Sequence, residues 1–158
     1  MITATGVMND EAVYRSYSEE LTRYATGLVG PFDAPDVVTD ACLKAFGSRS
    51  WPDVVDRRAY LYRTVLTVAN DHHRRTLSRR LREMKTAGRD HLPDPTGSID
   101  VEVLEAVKRL SVQQRAAVFL TYWEDLAADD VAECMGVSTG TVKRHLARAR
   151  KRLGEWLS

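Results

Sequence analysis

The chain has 158 residues, 44% of them hydrophobic, with 23 Lys and Arg against 22 Asp and Glu. That apolar content excludes wholesale disorder, and the length suits one ordinary domain or two small ones of roughly 60–80 residues each. No run approaches the about 20 apolar residues of a membrane span, Met1–Asn9 lacks the pattern of a secretory signal, and two distant cysteines, Cys42 and Cys134, make no disulfide framework, which fits a reduced, cytoplasmic setting.

Helical periodicity dominates. Val13, Tyr17, Leu21, Tyr24 and Leu28 recur at steps of three and four and predict a helix over 10–28, ended by Gly27, Gly30 and Pro31. A second helix starts at Ala34-Pro35, where proline is tolerated in the first turn, and stops at Gly47. A third runs from about Asp56 to Met84. It has one apolar stripe of Leu61, Val65, Val68 and His72 and one polar stripe of Tyr60, Arg63, Thr67, Asn70 and Arg74. Thr86–Ser98 holds two Pro and two Gly without periodicity and reads as a linker. Val101, Leu104, Val107 and Leu110 then step by three. Ser111 with Gln114 forms a capping box for a helix reaching about Trp123. A short helix over 128–135 ends at Gly136, and Ser138 caps a last helix over 139–153. The expected fold class is all-α: two small helical domains joined by a flexible linker, the second containing a helix-turn-helix.

The near-zero net charge hides an alternation. Residues 1–56 carry net −5, 57–89 net +8, 90–135 net −7 and 136–158 net +5. Two separate basic blocks suit a polyanion held at two places, although solvated helix faces with biased charge would look the same. The sharpest local signal is Leu126–Leu153, a short helix, a glycine turn, a serine cap and a longer helix with a basic outer face. Ser138 and the exposed amides of the helix start suit a phosphate. Small Thr139 and Gly140 allow close approach to a duplex. Lys143, Arg144 and Arg148 lie opposite Val142 and Leu146, where arginine can read guanine edges in the major groove.

These residues, in this order, resemble the extracytoplasmic-function (ECF) group of bacterial sigma-70 family RNA polymerase sigma factors. Ala34–Phe46 resembles the family's core-binding helix. Ala59–Val65 with Asp71 and Arg74-Arg75 resembles its promoter-reading helix. Gln113-Gln114-Arg115, Met135-Gly136 and Thr141-Val142-Lys143 resemble its second domain. The resemblance implies a region 2-like domain at 1–85, a linker at 86–99 and a region 4-like domain at 100–158. It implies core polymerase contacts by Asp36, Val37, Asp40 and Lys44. The −10 promoter element would meet Trp51, Arg57, Arg58, Arg63, Thr67, Asn70, Arg74 and Arg75. The −35 element would meet Ser138, Thr139, Thr141, Lys143, Arg144 and Arg148. The implied partners are core RNA polymerase and promoter DNA, with an anti-sigma factor as a further candidate, and no cofactor or metal is implied. Trp51 has a competing reading as a plug of the small core. Ala127 stands where the family often has a capping Ser or Thr, and Asp125 is the nearby substitute.

Three other readings stand beside this one. Four His and two Cys raise metal-dependent catalysis, but there is no C-x-x-C or H-E-x-x-H, and adjacent His72 and His73 point about 100° apart on a helix. A stand-alone LuxR-type regulator would bind a palindromic operator as a dimer, leaving the first 85 residues without a role. A degenerate sigma-like protein would bind polymerase without initiating.

Overall fold

The computed structural model describes residues 9–87 and 106–157. Every regular element among them is helical. Asn9 starts α1 (Asp10–Val29) by accepting a hydrogen bond from the Ala12 amide through its side chain at 2.8 Å. The periodic residues Val13, Leu21, Tyr24 and Leu28 are buried, as their spacing predicts. Gly27 does not end the helix. It continues to Val29, and Gly30, at φ 89°, is the stop. Pro35 sits in the first turn of α2 (Ala34–Phe46), and Trp51–Asp53 forms a single 3₁₀ turn. Then α3 (Arg57–Ala87) begins where the Asp56 carboxylate accepts from the Ala59 amide at 3.0 Å. It extends three residues past the expected Met84.

The second half follows the expected punctuation closely. The capping box forms at the start of α4 (Val112–Val118): the Gln114 amide donates to Ser111 Oγ and the Ser111 amide to Gln114 Oε1, both at 3.1 Å. The helix then widens into a π turn, Phe119–Trp123, closed by the Glu124 amide donating to the Phe119 carbonyl. The short helix α5 (Ala128–Met135) ends at Gly136, whose φ 68° and ψ 34° are the left-handed values that glycine adopts without a Cβ penalty. The last helix, α6 (Thr139–Leu157), runs beyond the predicted Leu153. The stripe Val101–Leu110 falls outside the described residues as far as Glu105. Its end is a helical turn at 106–108. Beyond Ala87, the linker expected at 86–99 also lies outside them.

The two halves share one core. Leu21, Tyr24, Tyr62 and Val65 of the first belong to the same buried cluster as Ala116, Leu120, Val131 and Met135 of the second. On α3 the predicted stripe of Leu61, Val65 and Val68 is buried, and His72 Nε2 lies 3.2 Å from Asp33 Oδ2 at the start of α2. A further stripe, Tyr62, Leu66 and Ala69, is buried as well. Tyr24 joins the halves: its ring packs on Tyr62 at 4.8 Å between centroids and on Phe119 of the second half at 5.8 Å.

Candidate nucleic-acid interface

The recognition helix is built as its residue order requires. The Thr141 amide donates to Ser138 Oγ at 3.2 Å, so the serine caps α6. Thr139 Oγ1 donates to Asp129 Oδ1 on α5 at 3.0 Å, tying the start of one helix to the other across the glycine turn. Val142, Leu146 and Ala149 are buried, while Lys143, Arg144 and Arg148 are exposed. One guanidinium nitrogen of Arg144 donates to Thr141 Oγ1 at 3.0 Å, which holds its stem along the helix start. His145, between the cations, is half-buried. Burial first, then Arg148 and Arg144, push its imidazole below the usual range. Ala127 makes no side-chain cap for α5. Asp125 does not substitute for it; its backbone stands at φ 55°, turning the chain out of the π turn.

The residues assigned to the −10 element divide into three groups. Thr67, Arg74 and Arg75 are exposed and Asn70 half-exposed, all on the outer side of α3, with Arg79 and Arg80 exposed further along. Trp51 belongs to the core: it is 3% exposed, its indole N–H donates to Asp10 Oδ1 at 2.9 Å, and Phe46 and Tyr60 pack on it. Arg57 covers the ring at 4.8 Å. No face of Trp51 is left for a base, so the plug reading replaces the stacking one. Arg58 and Arg63 are engaged internally. Arg58 makes a two-pronged ion pair with Glu20, at 3.0 and 3.1 Å, and lies over Tyr62. Its hydrogen bonds to that carboxylate raise the guanidinium above its already high ordinary value. Arg63 lies over Tyr60 and reaches Glu133 of α5 at 3.8 Å.

On α2, Asp36, Asp40 and Lys44 are exposed on one face, with the large apolar Leu43 beside them. Val37 is 2% exposed and packs inward, so it positions the helix and presents nothing to a partner. Sequence reading missed that Arg58 lies over Tyr62 and that Arg63 reaches Glu133. The signal available was the alternation of acidic and basic blocks, which sets an acidic α5 against a basic α3.

A glycine-turned helix pair whose second helix is capped, cationic outside and apolar inside defines a helix-turn-helix DNA-binding protein. Residues 100–153 match the family "Sigma-70, region 4". The chain is 33% identical to the RNA polymerase sigma-E factor of Streptomyces antibioticus, over 96% of this chain and 86% of that protein. It is 30% identical to the ECF RNA polymerase sigma factor SigC of Mycobacterium tuberculosis, over 90% and 80%. The fold is that of the sigma factor RpoE from Bartonella quintana, solved in complex with the anti-sigma factor NepR: the TM-score is 0.63 at 24% identity, covering 93% of this chain and 95% of that one. The chain belongs to the ECF group of sigma-70 family RNA polymerase sigma factors, which are regulators of transcription initiation. Among the described residues no helix is long and apolar enough to cross a membrane.

Proposed function

We propose that this sigma factor divides its work among three helices. The exposed face of α2, with Asp36, Asp40 and Lys44, docks on core polymerase. The outer face of α3, with Thr67, Asn70, Arg74 and Arg75 and with Arg57, Arg58 and Arg63 toward its start, follows the −10 strand. The start and cationic face of α6, from Ser138 to Arg148, reads the −35 duplex. The domain assignment that accompanies this is 1–85, a linker at 86–99 and 100–158. The reading is carried by the split on α6: Val142, Leu146 and Ala149 are buried while Lys143, Arg144 and Arg148 are exposed. That leaves an arginine-rich face beside a helix start that suits phosphate.

The protein acts in the cytoplasm, catalyses no reaction itself and uses no cofactor. An anti-sigma factor is proposed as a regulatory partner, by analogy with the complex solved for the Bartonella protein. Gel filtration with bacterial core RNA polymerase tests the assignment. Stoichiometric co-elution is expected, and it should be lost when Asp36 and Asp40 are both changed to Lys. A free dimer that ignores polymerase would instead point to an operator-binding regulator, and a monomer that ignores it to a degenerate relative.

A further inference from the structure

The hydroxyls of Ser138, Thr139 and Thr141 at the start of α6 are all engaged within the protein. Thr139 Oγ1 donates to Asp129 Oδ1 at 3.0 Å, so it is turned toward α5. Ser138 Oγ accepts from the Thr141 amide at 3.2 Å and lies 3.0 Å from Thr141 Oγ1. Thr141 Oγ1 in turn accepts from a guanidinium nitrogen of Arg144 at 3.0 Å. The cap of the helix therefore continues, through one threonine, into an exposed arginine.

This bond gives Arg144 a direction. Helix side chains lean toward the N-terminus, and the threonine holds the guanidinium back over the first turn. The helix dipole disfavours a cation drawn toward that end, so charge alone would not put it there. Gly140, four positions before Arg144 on the same face, is exposed and carries no side chain. A Cβ built on it would meet only Ser138 Oγ, at 3.9 Å. The helix start is thus open to close approach, and it is the end whose residues meet base edges in helix-turn-helix proteins. The bond to Thr141 occupies one N–H of the arginine fork and leaves the others to donate.

Lys143 and Arg148 differ. Both are exposed, and among the described residues neither makes a hydrogen bond or an ion pair. Lysine is a point charge without a fork, which serves a phosphate and not a paired base edge.

We propose that Thr141 is a positioning residue: it holds the Arg144 fork for the N7 and O6 atoms of one guanine in the −35 duplex, while Lys143 and Arg148 meet phosphates. This rests on the −35 assignment of α6 given above. Thr139 and Thr141 then shape the reading surface without touching DNA themselves.

The full chain assembled with bacterial core polymerase tests this by selecting duplexes from a pool randomised over about ten base pairs, one helical turn. Sequencing the bound fraction gives the preference at each position. Wild type should favour a guanine at one position, and Arg144→Ala should lose that preference by on the order of tenfold. Thr141→Val keeps the shape of the side chain and the amide that bonds Ser138, and removes only the hydroxyl. It should lower the preference for that same guanine about fivefold, the scale of ordering one long side chain, and leave the other positions as they were. Thr141→Ser should restore it. Thr141→Val added to Arg144→Ala should change nothing further at that position, since the two act as one unit. Lys143→Ala should instead flatten the slope of log K against log salt by about 0.9, one phosphate contact, with every preference kept. A loss of affinity in Thr141→Val that is even across all positions, or an unchanged guanine preference, would overturn the positioning role alone. A wild type that selects no sequence at all would overturn the −35 reading and this inference with it.

Discussion

His145 is wedged between Arg144 and Arg148 on the recognition helix, with its Nδ1 buried and unpartnered among the described residues. Burial and the two flanking cations make its charged form unfavourable in the folded state, so its folded value lies below the ordinary 6.5. Below that ordinary value the unfolded chain takes up the proton more readily than the folded one, and stability falls as pH drops through it toward the folded value. His73 shifts the same way, through burial and then Arg115, Arg80 and His72. Wild type should therefore melt at a lower temperature at pH 5.5 than at pH 7.5. His145→Gln should lose part of that difference, because glutamine keeps a polar side chain without a proton to gain. Parallel melting curves across this range would show that His145 does not carry it. Trp51 makes the complementary point. A ring with Asp10, Phe46, Tyr60 and Arg57 already on it steadies the loop that leads into α3 and fixes where the Arg57 guanidinium lies.

At the level of the element, α5 is the weakly capped member of the helix pair. Ala127 has φ −68° and ψ 156°, the extended backbone of a capping residue, but no side-chain oxygen for the free amides. Asp129 and Asp130 in the first turn answer the helix dipole only in part, and Asp129 is also bound to Thr139. Ala127→Ser should add about 1 kcal/mol to stability, measured as a higher urea midpoint at unchanged slope. No gain would mean that water already serves those amides. Both helix boundaries around the turn were legible in the sequence because Gly136 and Ser138 are punctuation with a local cause. The same holds for the box at Ser111 and for the proline start of α2. What could not be read was which of several faces a helix turns to its neighbours. Tyr62, Leu66 and Ala69 form a second buried stripe on α3, masked in the sequence because Arg58, Arg63 and Thr67 are interleaved with it. Gly27 looked like a stop, yet its role is the close approach of Phe119, a contact 92 positions along the chain. Val37 shared a motif with Asp36 and Asp40 but packs inward, since one residue on a helix turns it by about 100°. The candidate site was thus legible as a list of cations and only partly as a surface.

For the whole molecule, the decisive feature is that two separately recognisable halves share a core, and Arg115 shows how they are held. Among the described residues its guanidinium faces three carbonyls and no carboxylate: Val107 at 3.2 Å, Lys108 at 2.9 Å and, across the seam, Leu28 at the end of α1 at 2.6 Å. Burial lowers its pKa, and among the described residues the charge is met by carbonyl dipoles. The bond to Leu28 satisfies one of the carbonyls that a helix leaves without an internal partner and couples α1 to α4 over 87 positions of chain. Arg115→Met keeps most of the aliphatic stem and removes all three donors. It should lower stability by about 2–3 kcal/mol, the range for hydrogen bonds from a charged donor that leave a carbonyl unserved. The more telling effect is on cooperativity. Wild type should unfold in one heat transition with matching calorimetric and van't Hoff enthalpies, because neither half can separate without exposing the Tyr24, Tyr62 and Phe119 cluster. In Arg115→Met the van't Hoff value should fall below the calorimetric one as the halves begin to melt separately. Equal enthalpies at a merely lower midpoint would place Arg115 within the second half's own stability and leave the coupling to the aromatic cluster. The two results differ in what holds the halves together: a polar tether that water can replace, or apolar surface that only another surface can cover.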